Sequence, residues 1–336
     1  KGSALTLRDL LDIANVLRTI RSLSDWRRAC GDDQETSLDM LFESLQPNQY
    51  LERRIEAAVL SEDELADNAS PALADLRRKI RSAGVRVREQ LDKMIHSSTY
   101  QKYLQEPIVT IRDGRFVVPV KSECRGEVKG LVHSTSASGA TLFVEPMSVV
   151  EANNEMKVLQ AKEKAEMDRI ILELSVEAGG FADSIVGSYL SVVELDLYFA
   201  KARLAQNMKA SVPVIGQDGV LDLKKARHPL IDAKKIVPID IRLGDDFDTL
   251  VITGPNTGGK TVALKTLGLL TLMALCGLMI PASDGSRISV FDHVLADIGD
   301  EQSIEQSLST FSAHMTNIID ILGQTGGSVL VLLDEL

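Results

Sequence analysis

Apolar residues recur three and four apart through the opening of the chain, as in TLRDLLDIANVLRTIRSL, and predict amphipathic helices packed as a helical core over residues 1–70. Ser70-Pro71 has the chemistry of an N-cap followed by a first helical turn. After it, Leu73, Leu76, Ile80, Ala83, Val87, Leu91 and Met94 keep helical spacing, predicting a first lever helix within 71–105. The period changes at Glu106-Pro107. In IVTIRDGRFVVPV, Asp113-Gly114 stands between two β-branched runs and predicts a hairpin; LVHSTSASGATLFVEP predicts a second, and together they form a small β clamp over 106–145. Pro146 then opens another long helix whose stripe is Val149, Ala152, Met156, Leu159, Met167, Ile170 and Leu174, broken once around Glu163. With the helical stretch SVVELDLYFAKARLAQNM it makes a second lever and a return to the core over 146–212. These elements predict an antiparallel arm with the hairpins at its tip. From 213 to 336 the texture becomes short strands and turns, then buried strand, loop, apolar helix and buried strand, which predicts an α/β nucleotide domain with a largely parallel sheet. The fold class is therefore multidomain, α plus α/β.

Composition narrows the functional classes. The 336 residues are 44% hydrophobic and only 4% aromatic, as expected of long helices packed through Leu, Val, Ile and Ala. Cys30, Cys124 and Cys276 have no metal-ligand or disulfide spacing, so a reducing, cytoplasmic setting is expected. The apolar run Thr266–Pro281 is shorter than the roughly 20 residues of a bilayer span and reads as a buried helix, with no membrane partner. A net charge of −11 excludes coating of nucleic acid by bulk positive charge. The charge is uneven, however: acidic residues dominate 31–70, and basic residues dominate 71–105.

Two motifs carry chemistry. Gly254-Pro255-Asn256-Thr257-Gly258-Gly259-Lys260-Thr261 fits the phosphate-loop pattern, between the apolar run Leu250 to Thr253, expected to be a strand, and an apolar helix. In such a loop the glycines turn backbone N–H groups toward phosphates, Lys260 reaches the β- and γ-phosphates of a nucleotide, and Thr261 offers its hydroxyl to Mg2+. SVLVLLDEL is a strand that delivers Asp334 and Glu335 to the sheet edge, where ligands of open α/β sheets bind. Asp334 suits a magnesium-bound water, and Glu335 suits orienting and deprotonating the water that attacks the γ-phosphate.

Taken with SLSTFSAHM, the motifs GPNTGGKT and VLLDEL resemble the ATPase of the MutS branch of the ABC-type superfamily. The stretch EPIVTIRDGRFVVPVKSECRGEVKGLVHSTSASGATLFVEPMSVVEANNE narrows the resemblance to the bacterial paralogues called "MutS two", the Smr-domain type, over essentially the whole chain. The resemblance implies that Ser309 is the signature serine, facing ATP bound by the other subunit of a homodimer. Arg227-His228-Pro229 matches the turn leading into the ATPase domain. Ile239 stands where mismatch-recognising relatives place an adenine-stacking aromatic; it offers apolar contact without a ring, or serves as a core strand residue. The resemblance also implies a nuclease domain and a histidine switch beyond Leu336, so no nuclease residue is assigned.

The expected function is an ATP-driven dimeric clamp, and the resemblance implies as its target branched DNA in recombination suppression, the rRNA-containing surface of collided ribosomes, or both. Arg112, Arg115, Lys121, Arg125 and Lys129, in or beside the hairpins, are the candidate nucleic-acid contacts, with Arg77, Arg78, Lys79, Arg81, Arg86 and Arg88 on the stem. A nucleotide-gated dimerisation module with a protein partner is the alternative. A small-molecule kinase would leave the long arms and the Ser309 segment without a role.

Overall fold

The computed structural model describes residues 4–31, 35–232, 234–255, 258–298, 307–324 and 326–334, with backbone alone over 307–314. The chain is mixed α/β and divides into two compact units, Lys1–Val193 and Glu194–Leu336.

The first unit opens with α1 (Leu7–Ala29), whose start is fixed by a capping box in which Thr6 and Asp9 exchange side-chain and backbone hydrogen bonds. Leu10, Ala14 and Leu17 recur at helical spacing and share a core with Leu51 and Ile55 of α3 (Gln49–Ala58), which follows the short α2 (Asp39–Glu43). A two-stranded hairpin, β1 (Val59–Ser61) and β2 (Glu64–Leu65), closes this core. Next comes α4 (Pro71–Ile95), capped by Ser70, whose Oγ accepts from Leu73 N at 3.0 Å. After the short α5 (Ser98–Gln101), four antiparallel strands follow: β3 (Thr110–Arg112), β4 (Arg115–Lys121), β5 (Gly130–Thr135) and β6 (Thr141–Pro146), in the spatial order β3-β4-β6-β5. The turn at Asp113-Gly114 has φ of 51° and 69°, the doubly positive geometry that those two residue types accept at least cost.

From this sheet α6 (Met147–Gly180) returns alongside α4. Leu73, near the start of α4, shares a core with Ile170 and Leu174 late in α6, whereas Val87, Leu91 and Ile95 share another with Val149 at its beginning. The two helices are therefore antiparallel, about 37 and 51 Å long. At one end, Ser70 Oγ also donates to Glu166 Oε1 at 2.6 Å, and Arg169 holds the same carboxylate through Nε and Nη2. These bonds, Arg169's first, hold the Glu166 carboxyl down at about 2. One hydroxyl thus caps α4 and ties it to α6.

The helix α7 (Ala182–Met208) carries the chain into the second unit. There β7 (Val214–Gly216), β8 (Leu221–Ala226), β9 (Ile239–Leu243) and, after α8 (Lys260–Leu275), β10 (Arg287–Ser289) form a mixed sheet in the order β7-β10-β8-β9. Only β7 and β10 are parallel in it. A separate parallel pair consists of β11 (His293–Asp297) and, beyond α9 (Ser307–Gly323), β12 (Val329–Leu333). The expected largely parallel sheet is thus realised as a mixed sheet and a parallel pair. The expected strand at 250–253 is not formed: no ladder among the described residues reaches it, and Val251 is 76% exposed. An apolar run becomes a buried strand only where a neighbour accepts its backbone and another layer covers it.

Candidate functional site

The glycine loop owes its shape to backbone requirements. Gly254 and Gly259 have φ of 147° and 79°, values that residues other than glycine rarely adopt, yet among the described residues a Cβ at either would meet nothing within 4 Å. Glycine is needed there for conformation. Gly258 N donates to Pro255 O at 2.9 Å, and Gly259 is the N-cap of α8, so the unpaired amides and partial positive charge of a 16-residue helix lie at the loop. Lys260 is the first helical residue, and its Nζ donates back across the loop to Gly254 O at 2.6 Å. Thr261 follows it, half-buried. Asn256 and Thr257 lie outside the described residues.

The loop is seated by α8. Leu267, Leu270 and Ala274 share a core with Leu330 and Leu332 of β12. The approach is so close that a Cβ at Gly268 would stand 2.6 Å from Leu332 Cδ1. The strand under α8 is therefore the one that ends in Asp334. Its neighbour β11 runs parallel, with Asp297 opposite Leu333, and Asp334 N donates to Asp297 O at 3.0 Å. Two strand ends thus deliver acidic residues to one edge. Ser309 is in the first turn of α9 and its side chain is outside the described region; Glu335 lies outside it altogether.

Two further placements bear on nucleotide binding. Ile239 opens β9, opposite Ala226, half-buried against the core that includes Leu267 and Leu270. His228 follows β8; burial first, and then the charge of Lys265 on α8, hold its imidazole below the ordinary histidine range. Arg227 Nη2 donates to Lys209 O at 2.8 Å, which fixes the turn.

The basic residues of the first unit separate into distinct roles. Arg112 is exposed, its guanidinium 4.3 Å from the centre of the Phe143 ring. Arg125 and Lys129 are exposed, and Lys121 Nζ donates to Lys102 O at 3.2 Å. Arg115 turns inward instead: Nη1 donates to Glu145 Oε1 at 2.8 Å and to Oε2 at 3.1 Å, and Nη2 donates to Asn154 Oδ1 at 2.7 Å. Glu145 is fully buried and also bonds Asn153 Nδ2 at 2.8 Å and His133 Nε2 at 2.5 Å. Pairing of β4 with β6 through Val118↔Val144 sets Arg115 diagonally across from Glu145, a register the sequence alone does not disclose. On the stem, Arg77 binds Glu163 at 2.9 Å and Asp67 at 2.7 Å, Arg81 binds Asp67 at 3.0 Å, and Arg78 and Lys79 pair with Asp75, while Arg86 and Arg88 are exposed.

Among the described residues no group of histidines, cysteines and carboxylates has the geometry of a metal cage, and no helix is long and apolar enough to cross a membrane. Residues 250–336 match the family model for MutS domain V. Over the whole chain, similarity extends to proteins named Endonuclease MutS2: 52% identity over 339 residues with that of Acetivibrio thermocellus, 53% over 339 with that of Pelotomaculum thermopropionicum, and 50% over 336 with that of Ruminiclostridium cellulolyticum. The chain spans 42% of the length of each of these relatives.

Proposed function

The chain belongs to the MutS2 branch of the MutS family, and we propose that it binds and hydrolyses ATP within a homodimer whose arms grip nucleic acid. The reading rests above all on the seating of α8 upon β12, which sets the glycine loop and Lys260 at the beginning of one element and Asp334 at the end of its neighbour. This juxtaposition supports the P-loop reading, although the run 250–253 that precedes the loop is not a strand. The loop amides and Lys260 would hold the β- and γ-phosphates. The hydroxyl of Thr261 and the carboxylate of Asp334 are hard oxygen donors and suit Mg2+, the first directly and the second through water. Held by Thr261 and Asp334, Mg2+ would supply positive charge to offset that of the phosphates during transfer. Glu335 would orient the attacking water and take its proton, and Ser309 would meet the γ-phosphate held by the other subunit. Ile239 would give the base an apolar surface without stacking.

The reading of nucleic acid as the target rests on the exposed cations Arg112, Arg125 and Lys129, each able to pair with a phosphate individually, although Glu106, Asp113, Glu123 and Glu127 are exposed in the same segment. Branched DNA and the rRNA-containing surface of a collided ribosome both present such phosphates. The deciding experiment measures inorganic phosphate released from ATP by the full-length protein, alone and with branched DNA or ribosomes. Stimulation by either is expected. Hydrolysis that neither target alters would favour a nucleotide-gated dimer with a protein partner, and no release of phosphate would overturn the ATPase reading.

A further inference from the structure

Asp297 is held by two elements at once. Its residue is only 8% exposed, and its carboxylate oxygen Oδ1 accepts from Asn317 Nδ2 of α9 at 2.9 Å. The same amide reaches toward Ala296 O at 3.4 Å. On the other side, the Asp297 carbonyl accepts the N–H of Asp334 at 3.0 Å. A carboxylate this buried is stable only with donors fixed around it, so the contact with Asn317 constrains where α9 can sit. Ser309 lies about two turns before Asn317 on α9, and Glu335 follows Asp334 directly. One short bracket therefore connects the helix bearing the signature serine to the strand end bearing the acidic pair.

We propose that Asp297 and Asn317 are positioning residues that set the water-orienting carboxylate by the position of the signature helix. The proposal rests on the ATPase reading above, and neither side chain touches nucleotide in it. When Ser309 engages a γ-phosphate, displacement of α9 is passed through Asn317 to Asp297 and, by the backbone bond, to Asp334 and Glu335. Hydrolysis is thereby tied to a completed dimer. The bracket acts on turnover and leaves ground-state binding alone.

The test compares the full-length protein with Asn317→Asp and with Asn317→Asp combined with Asp297→Asn, following phosphate release and binding of a fluorescent ATP analogue. The single change sets two carboxylates against each other, and kcat is expected to fall about 100-fold while nucleotide affinity stays within about 2-fold. The double change restores the hydrogen bond with donor and acceptor exchanged and should return kcat to within about 3-fold of the unaltered protein. A single variant at unaltered kcat overturns the proposal. So does a double variant that folds and binds nucleotide but turns over no faster than the single. Should Asn317→Asp not fold, the same two measurements on Asn317→Ser decide: a fall in kcat at unchanged affinity supports the bracket, and unchanged kcat overturns it. Absence of phosphate release from the unaltered protein would instead remove the ATPase reading, before any variant is compared.

Discussion

Glu335→Gln is expected to bind ATP with nearly unaltered affinity and to hydrolyse it about 100- to 10,000-fold more slowly, the range for loss of a positioned general base. Lys260→Ala is expected to lose nucleotide affinity itself. The difference follows from when each group acts. The ammonium of Lys260 lies against Gly254 O, and in the proposed mechanism it would offer its charge to phosphates already in the ground state. In the proposed mechanism the carboxylate of Glu335 would act on water only as the reaction proceeds, so its removal is expected to lower kcat and trap the ATP state. Titration with a fluorescent nucleotide, paired with phosphate release, checks both statements. Equal loss of binding in the two variants would contradict the division of roles.

Arg115→Ala is expected to destabilise the small sheet by about 3–5 kcal/mol, because it leaves the fully buried carboxylate of Glu145 without its guanidinium partner. Arg112→Glu should leave stability close to unaltered, since its side chain lies over Phe143 at the surface. It should instead weaken nucleic-acid binding and reduce the salt slope by about 0.7–0.9 for each phosphate no longer neutralised. Urea unfolding separates the two variants, and binding across a salt series identifies the surface residue. If Arg115→Ala unfolds like the unaltered protein yet loses nucleic-acid affinity, Arg115 belongs to the nucleic-acid surface and its bond to Glu145 is dispensable. Changing both arginines together would confuse unfolding with weakened binding.

The features legible in the sequence are those encoded within a few residues. Ser70-Pro71 starts α4 because the hydroxyl and the fixed φ act locally. Asp113-Gly114 turns the chain because both residues accept positive φ. The glycine loop is legible for the same reason, and the stripe from Leu73 to Leu91 follows the helical period onto the buried face. Features set by distant partners are not legible. Arg115 reads as a surface cation until the register of β4 against β6 brings it to Glu145. Asp297 sits in a segment rich in charge and gives no sign that Asn317, on another element, binds it. The run at 250–253 carries the composition of a buried strand, but composition does not supply the neighbouring backbone that makes one. Likewise β10 inserts between β7 and β8, far earlier in the chain, and its pairing direction depends on that topology.

The claim that ATP is hydrolysed between two copies of this chain is tested most directly by mixing Lys260→Ala subunits with Ser309→Ala subunits and measuring phosphate release. Each variant alone has a lesion at both sites of its dimer and is expected to be inactive. If Ser309 acts across the interface, a mixed dimer contains one site with both lesions and one with neither, so the mixture should recover activity in proportion to the heterodimers present. A mixture as inactive as its parents, with heterodimers demonstrated, would contradict the shared site.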